Sequence, residues 1–348
     1  MNESPSPRAR YRTRFAPSPT GGLHLGSART ALVAWLRARS NRGALVLRIE
    51  DLDTPRVVPG AARAIVEDLR WLGLDWDEGP EIGGPHGPYT QSERIDVYQR
   101  ALDLLRAQGW LYPCSCSRRE LASVASAPHG RGLDAGASDD GPQYPGYCRD
   151  GPLRPERPTC VRFRAAHAPR VWHDEVLGEV SAGPSGDFVV QRADGTFAYQ
   201  FAVVVDDILM RVTEVVRGDD LAPSTPKQIA LHAALGPALR QWMGGSFDGV
   251  PAFFHVPLVR GPDGERLAKR HGAPTLAQLR QRGIRPTRVV GALARSMGLL
   301  VPSTTEVEPA ELVDHFDSRS VARAGDAADM VDDLNMWDAV NPEPLGSG

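Results

Sequence analysis

No stretch of 18 apolar residues occurs in the 348-residue chain, so nothing in it is built to span a bilayer. The segment from Met1 to Tyr11 is polar and proline-rich and lacks the apolar run of a secretory leader. Cysteine is scarce. Cys114, Cys116, Cys148 and Cys160 are too few to staple a chain of this length, which points to a reduced, cytoplasmic setting. No Gly-x4-Gly-Lys-Ser/Thr occurs, which excludes a Walker-type phosphate loop, and no internal repeat is found. What is present is 41% hydrophobic and 24% charged residues, enough for about two domains and a sizeable core. The formal charge of −3 is unevenly spread. Residues 301–348 hold eleven acidic residues against Arg319 and Arg323, a net −9, which leaves +6 on the first 300. A positive body suits an anionic ligand better than a membrane.

The patterning at the N-terminal end alternates short strands with helices. Arg12–Ala16 reads as a strand entering a Pro/Gly turn. Leu25, Ala28, Leu32, Trp35 and Leu36 recur at helical spacing until Gly43 stops them. Ala44–Ile49 reads as a buried parallel strand, and Pro59 opens a helix that Gly73 ends. This is a βαβ unit. A further helix is expected from Glu93 to Gln108. The texture changes at Leu111: the four cysteines fall between 111 and 165, and 122–142 reads as a flexible loop without periodicity. Phe188–Arg192 and Thr196–Val205 read as a strand pair joined at Asp194-Gly195. Thr213–Arg217 and Phe253–Leu258 follow as strands, with a helix from Pro226 to Leu235 between them. Two helices, about 275–282 and 286–298, close the folded part, and residues 266–295 carry eight basic residues and no acidic one.

Five groups of residues could carry chemistry. The turn from Arg14 through Ser18, His24 and Gly26 to Ser27 would place free N–H groups at a helix start, where phosphate binds. An ordinary βα turn would look the same. Arg48, Glu50, Asp51 and Asp53 follow the second strand, at the end of a parallel sheet where open α/β folds bind ligands; a solvated acidic loop is the plain alternative. Tyr199, Asp206, Asp207 and Arg217 combine a carboxylate-binding fork with paired acids, as would a structural ion-pair network. Arg266, Lys269 and Arg270 could clamp a triphosphate, or form a solvated basic loop. Cys114, Cys116, Tyr144 and Cys148 offer four atoms to zinc, although Cys-x-Cys is tighter than common spacings and a phenolate is an unusual ligand. Cys160 reads as a buried apolar residue of a strand.

In this order, the five groups resemble the class I glutamyl-tRNA synthetase family. Arg14–Ser27 is similar to its first strand and HIGH-type signature, and Arg48–Asp53 to its RIEDTD-type segment. Tyr199–Asp220 is similar to its second amino-acid-binding stretch, and Arg266–Arg270 to a degenerate KMSKS loop. The likeness covers about residues 10–300. The short length, the His-Leu-Gly-Ser turn and the Cys-x-Cys…Tyr-x3-Cys spacing resemble the family's shortened branch, which lacks the anticodon-binding domain. The resemblance implies an α/β fold: a Rossmann-like parallel sheet with an inserted zinc-bearing module and a short helical C-terminal region. Its expected divisions are 10–110 and 188–260 for the two halves of the nucleotide-binding domain and 111–187 for the zinc module. Residues 261–300 would be the KMSKS-like loop with basic helices, and 301–348 an acidic tail.

It also implies ATP-dependent activation of L-glutamate, followed by transfer of the glutamyl group to queuosine in the anticodon loop of tRNA(Asp). By carry-over, Arg14, Phe15, Ala16, Pro17, Ser18, Glu50, Tyr199 and Arg217 bind glutamate. His24, Gly26 and Lys269 serve ATP with its Mg²⁺, His24 and Lys269 being catalytic. Cys114, Cys116, Tyr144 and Cys148 hold one structural Zn²⁺. A monomer is expected. Three departures stand out. The KMSKS-like loop keeps only Leu267 and Lys269 of the pattern, 27 residues separate Cys116 from Tyr144 and leave Tyr147 as a rival ligand, and Val203 stands where an Asn is usual. Which arginine takes which carboxylate stays open. So do a truncated synthetase charging a tRNA 3′ end and a non-catalytic RNA- or amino-acid-binding paralogue.

Overall fold

The computed structural model describes residues 11–117, 119–121, 144–165, 167–182, 186–243, 249–259 and 274–322. The chain enters through β1 (Arg12–Phe15), crosses over by α1 (Leu25–Ser40) and returns as β2 (Ala44–Leu47), parallel to β1. Gly43 is required at the crossover: a Cβ there would lie 2.3 Å from the Tyr11 carbonyl. Two helices follow, α2 (Ala61–Trp71) and α3 (Ile95–Ala107). The four-residue strands β3 (Leu111–Cys114), β4 (Cys160–Phe163), β5 (Val171–Asp174), β6 (Gly178–Ser181) and β7 (Phe188–Gln191) come next. Strands β3, β4 and β7 form one antiparallel sheet, so it draws on residues either side of 187. The β5–β6 hairpin lies instead against β9 (Ala252–Val256), where the Glu175 N–H donates to the Phe253 carbonyl at 2.9 Å.

The second half repeats the βαβ logic. Strand β8 (Glu214–Gly218) leads through α5 (Thr225–Met243) to β9, again parallel. Strands β1 and β8 lie side by side, tied by the Thr213 N–H donating to the Arg12 carbonyl at 2.9 Å. One crossover therefore leaves β1 toward β2 and the other leaves β8 toward β9. Such a reversal opens a crevice at the carboxyl ends of the strands. Helix α1 packs into one apolar core with Phe15, Leu47, Leu69 and Leu293, and α5 into another with Tyr98, Phe163 and Phe201. Helices α6 (Leu276–Gln281), α7 (Pro286–Ser296) and α8 (Ser318–Ala322) follow β9. Among the described residues no helix is long and apolar enough to cross a membrane.

One element differs in kind from the sequence expectation. The Asp194-Gly195 turn forms, with Gln191 bridged to Phe197, but the chain then winds into helix α4 (Tyr199–Leu209) instead of a strand to Val205. Every residue from Gln200 to Leu209 is buried. A helix buried all round shows no solvent-facing polar stripe, so its period is hidden and its β-branched valines imitate a strand.

Candidate active site

The carboxyl ends of β1, β2 and β8 bring together a buried set of charges. Arg14 in β1 donates from Nε to Asp207 Oδ1 at 3.2 Å and from Nη1 to the Val216 carbonyl at 2.8 Å. Arg48, just past β2 and fully buried, donates from Nη1 to the same Asp207 oxygen at 2.8 Å and from Nη2 to Glu50 Oε1 at 3.0 Å. The neighbouring acid of α4, Asp206, accepts from Gln91 (2.8 Å), Arg94 (2.6 Å) and Tyr98 (2.8 Å). Burial raises the Asp207 carboxyl pKa, but Arg14 and Arg48 outweigh it and hold the group below the usual range. For Glu50 the balance goes the other way: burial wins over Arg48 and Arg14, and its pKa is raised. The Arg48 N–H donates to the Phe15 carbonyl (3.0 Å) and the Glu50 N–H to that of Pro17 (3.1 Å), so residues 15–18 run beside Glu50. The Phe15 ring belongs to the core, Ala16 and Pro17 are half-buried, and Ser18 is exposed.

Arg217, in β8, is held differently. Nε donates to His255 Nε2 at 3.0 Å, Nη1 to Gln228 Oε1 at 2.6 Å and Nη2 to Thr225 Oγ1 at 2.8 Å. All three partners are neutral. Among the described residues no carboxylate lies within ion-pair distance of it, although it is only 4% exposed. Three of its five guanidinium N–H groups go to these partners, and the Tyr199 hydroxyl is a further hydrogen-bonding neighbour. Burial lowers its pKa. Tyr199, at the start of α4, stands within electrostatic reach of Arg217, Glu50 and Arg14.

Across the crevice, His24 is the N-cap of α1 and forms an antiparallel bridge with Thr275. The first turn of α1 has no acidic residue, while Arg37 and Arg39 sit in its last, so the helix dipole favours an anion at the start. A Cβ built on Gly26 meets nothing within 4 Å, which leaves room for a ligand against the backbone. The Leu276 N–H donates to the Leu23 carbonyl at 2.9 Å, and Arg29 of α1 donates to the Pro257 carbonyl. The described residues Pro257 and Leu276, on either side of 260–273, therefore lie beside α1. Arg266, Lys269 and Arg270 lie outside the described residues, as does the 122–142 stretch.

The cysteines form a second cluster. The sulfurs of Cys114, Cys116 and Cys148 all lie within 4.8 Å of one another, and could hold a metal ion. Cys116 Sγ is 3.6 Å from Cys148 Sγ, and the Tyr144 hydroxyl is 3.4 Å from Cys114 Sγ and 3.9 Å from Cys116 Sγ. Four ligands set tetrahedrally at ~2.3 Å from zinc would be spaced by roughly 3.8 Å, so this donor set fits such an ion. Tyr144 is buried in the cluster, while Tyr147 is 47% exposed. Cys160 is only half-buried, and its thiol donates to the Cys114 carbonyl at 3.4 Å.

The catalytic-domain model of the class I tRNA synthetases (E and Q) matches residues 10–332. The chain belongs to that family. It is similar to the glutamyl-Q tRNA(Asp) synthetase of Symbiobacterium thermophilum, 51% identical over 321 residues that make up 89% of this chain and 93% of the relative. The corresponding enzyme of Nitratidesulfovibrio vulgaris is 45% identical over 83% of this chain and 87% of its own length. A glutamate–tRNA ligase of Anaeromyxobacter sp. (strain K) is also 45% identical, but 90% of this chain reaches only 63% of that ligase. The fold is that of a glutamate tRNA ligase from Elizabethkingia meningosepticum, solved in complex with its amino acid: TM-score 0.76, 30% identity, 95% of this chain and 70% of that one.

In this class I synthetase, several residues of the crevice escaped the sequence reading. His255, Gln228 and His232 read only as parts of a strand and a helix, and Asp174 and Thr225 fall outside every element that the sequence suggests. His232 is buried, its Nδ1 has no hydrogen-bond partner, and its neighbours in the field are Asp207, Arg14 and Arg217. The available signal was a polar residue in an otherwise apolar segment, as with His255 in Phe253–Val256. Asp51, in contrast, turns from the site and accepts from Ser92 N–H (2.8 Å) and Oγ (2.6 Å).

Proposed function

We propose that this synthetase activates L-glutamate with ATP and transfers the glutamyl group to queuosine of tRNA(Asp). The observation that carries the reading is Arg217: a buried cation with no acid partner among the described residues, standing with Tyr199 and Arg14 at the strand ends. A buried charge left unpaired costs several kcal/mol, so such a position calls for an anionic ligand. Glutamate supplies two carboxylates for Arg217 and Arg14 and an ammonium for Glu50, whose Oε1 is already held by Arg48. A carboxylate oxygen of glutamate attacks the α-phosphorus of ATP and pyrophosphate leaves. A hydroxyl of queuosine then attacks the acyl carbon and AMP leaves with the bonding pair. The chain's part is positioning and charge. The α1 N-terminus, His24 and Gly26 receive the nucleotide, and Lys269 offsets charge on the polyphosphate. Mg²⁺ bound with ATP would add a further counter-charge. Cys114, Cys116, Tyr144 and Cys148 would hold Zn²⁺ in a closed set with no position for water, a structural role.

The extent of the relatives supports the tRNA(Asp) modification over 3′-end charging, since this chain aligns with 93% of a glutamyl-Q enzyme but 63% of a ligase. Two assays test the proposal. Glutamate-dependent ATP–pyrophosphate exchange without tRNA is expected, and its absence would leave only a binding paralogue. Labelled glutamate should then enter queuosine-containing tRNA(Asp) and not the queuosine-free form; labelling of a 3′ end instead would make the protein a truncated glutamyl-tRNA synthetase.

A further inference from the structure

We propose that Asp174 and His255 form a positioning relay for Arg217, in which the tautomer of His255 holds the guanidinium in its carboxylate-binding orientation. This rests on the reading of the crevice as a glutamate site. The two oxygens of Asp174 have separate tasks. Oδ1 accepts the backbone N–H groups of Val176 and Leu177, both at 2.9 Å, and lies 3.4 Å from the His255 N. Oδ2 faces His255 Nδ1 at 2.6 Å. An ionised carboxylate only accepts, so the ring proton sits on Nδ1. His255 Nε2 is then a lone pair, and it accepts the Arg217 Nε–H at 3.0 Å. A guanidinium only donates, so the other tautomer, or the imidazolium, would set N–H against N–H.

The arrangement is buried throughout, with Asp174 1%, His255 0% and Arg217 4% exposed, so water does not substitute for a missing partner. Trp172 and Phe253 wall the imidazole at ring-centroid distances of 5.4 and 6.3 Å, and the Arg217 guanidinium carbon lies 5.7 Å from the Phe253 ring. The relay also explains why the β5–β6 hairpin is laid against β9: it delivers Asp174 to the far side of His255. Asp174 and His255 touch no substrate in this account. They act through Arg217.

The informative variant is Asp174→Asn, which keeps the shape. The amide oxygen stays on the backbone N–H groups that Oδ1 served, so its NH2 replaces Oδ2 and donates to His255 Nδ1. The ring proton moves to Nε2 and confronts Arg217. The glutamate KM in exchange should rise about tenfold or more, while the ATP KM changes less than about twofold. ¹⁵N NMR of histidine-labelled protein, with His255 assigned by its loss in His255→Gln, should show the Nδ1–H tautomer in the unaltered protein and Nε2–H in the variant. A switched tautomer with an unchanged glutamate KM would overturn the relay. So would an Nε2–H tautomer or imidazolium at His255 in the unaltered protein, a result that needs no folded variant. Failure of the glutamate reading looks different: the unaltered protein would then show no glutamate-dependent exchange at all.

Discussion

Replacing Arg217 with lysine is the sharpest perturbation of the glutamate site. The charge stays, so any loss reports the planar fork. Lysine offers three N–H donors from one atom and cannot reach His255, Gln228 and Thr225 while presenting two parallel N–H groups to a carboxylate. A hydrogen bond to a charged group contributes about 1.5–3 kcal/mol, and tenfold corresponds to about 1.4 kcal/mol, so the glutamate KM should rise roughly 10- to 100-fold. The ATP KM should hold, because the α1 N-terminus does not contact Arg217. A binding measurement separates affinity from chemistry. Glutamate at about 100 times its Kd stabilises the folded state by about 2.7 kcal/mol, on the order of 5 °C in Tm, and the variant should lose about half of that shift or more at the same concentration. A glutamate KM within about threefold of the unaltered protein, with the Tm shift intact, would remove Arg217 from the carboxylate site.

Lys269→Ala should lower exchange by about a hundredfold or more, the cost of ~3 kcal/mol for one lost preorganised charge contact, and normal exchange would move the catalytic cation elsewhere. Burial, helped by Arg14 and Arg217 and opposed by Asp207, depresses the His232 pKa from 6.5 to about 4. The unfolded chain therefore binds the extra proton between those values, so stability falls as pH drops from about 6.5 to 4, by about 3 kcal/mol in all. Chemical denaturation of His232→Gln across this window should show a shallower pH slope, and an unchanged slope would assign the acid sensitivity to other groups. Cys148→Ser should lower zinc content and Tm and weaken transfer to tRNA more than exchange; metal analysis of chelator-washed protein giving well under one zinc per chain in the unaltered form would defeat the site.

The βαβ entry was legible because its signals are local. Helical spacing from Leu25 to Leu36 and the obligate Gly43 are readable in twenty residues. Helix α4 was not, since a segment buried on every side carries no periodic contrast. The site divides the same way. Arg14, Glu50, Tyr199 and Arg217 fall in motifs with familiar residue types, whereas Asp174 meets His255 across 81 positions and His255 meets Arg217 across 38. No local pattern announces a partner at that distance. Tyr144 and Tyr147 both suit the ligand spacing, and only packing separates the buried phenol from the exposed one.

The three arginines at the strand ends differ in a way that bears on the choice between the two carboxylates of glutamate. Arg14 and Arg48 share Asp207, so much of their charge is already offset, while among the described residues Arg217 has neutral partners only. If the side-chain carboxylate meets Arg217, glutamine must present either an NH2 group to its N–H donors or a neutral oxygen to a buried cation, and either is unfavourable. If the α-carboxylate meets it, glutamine and glutamate are equal there. Arg217→Lys distinguishes the two. In the first case exchange with glutamate falls while glutamine, already poor, changes little, so the preference for glutamate shrinks by the same roughly 10- to 100-fold. In the second, both fall together and the preference holds. An unpaired cation that destabilises the empty pocket is retained, on this argument, at the position where the substrate's own charge completes the pair.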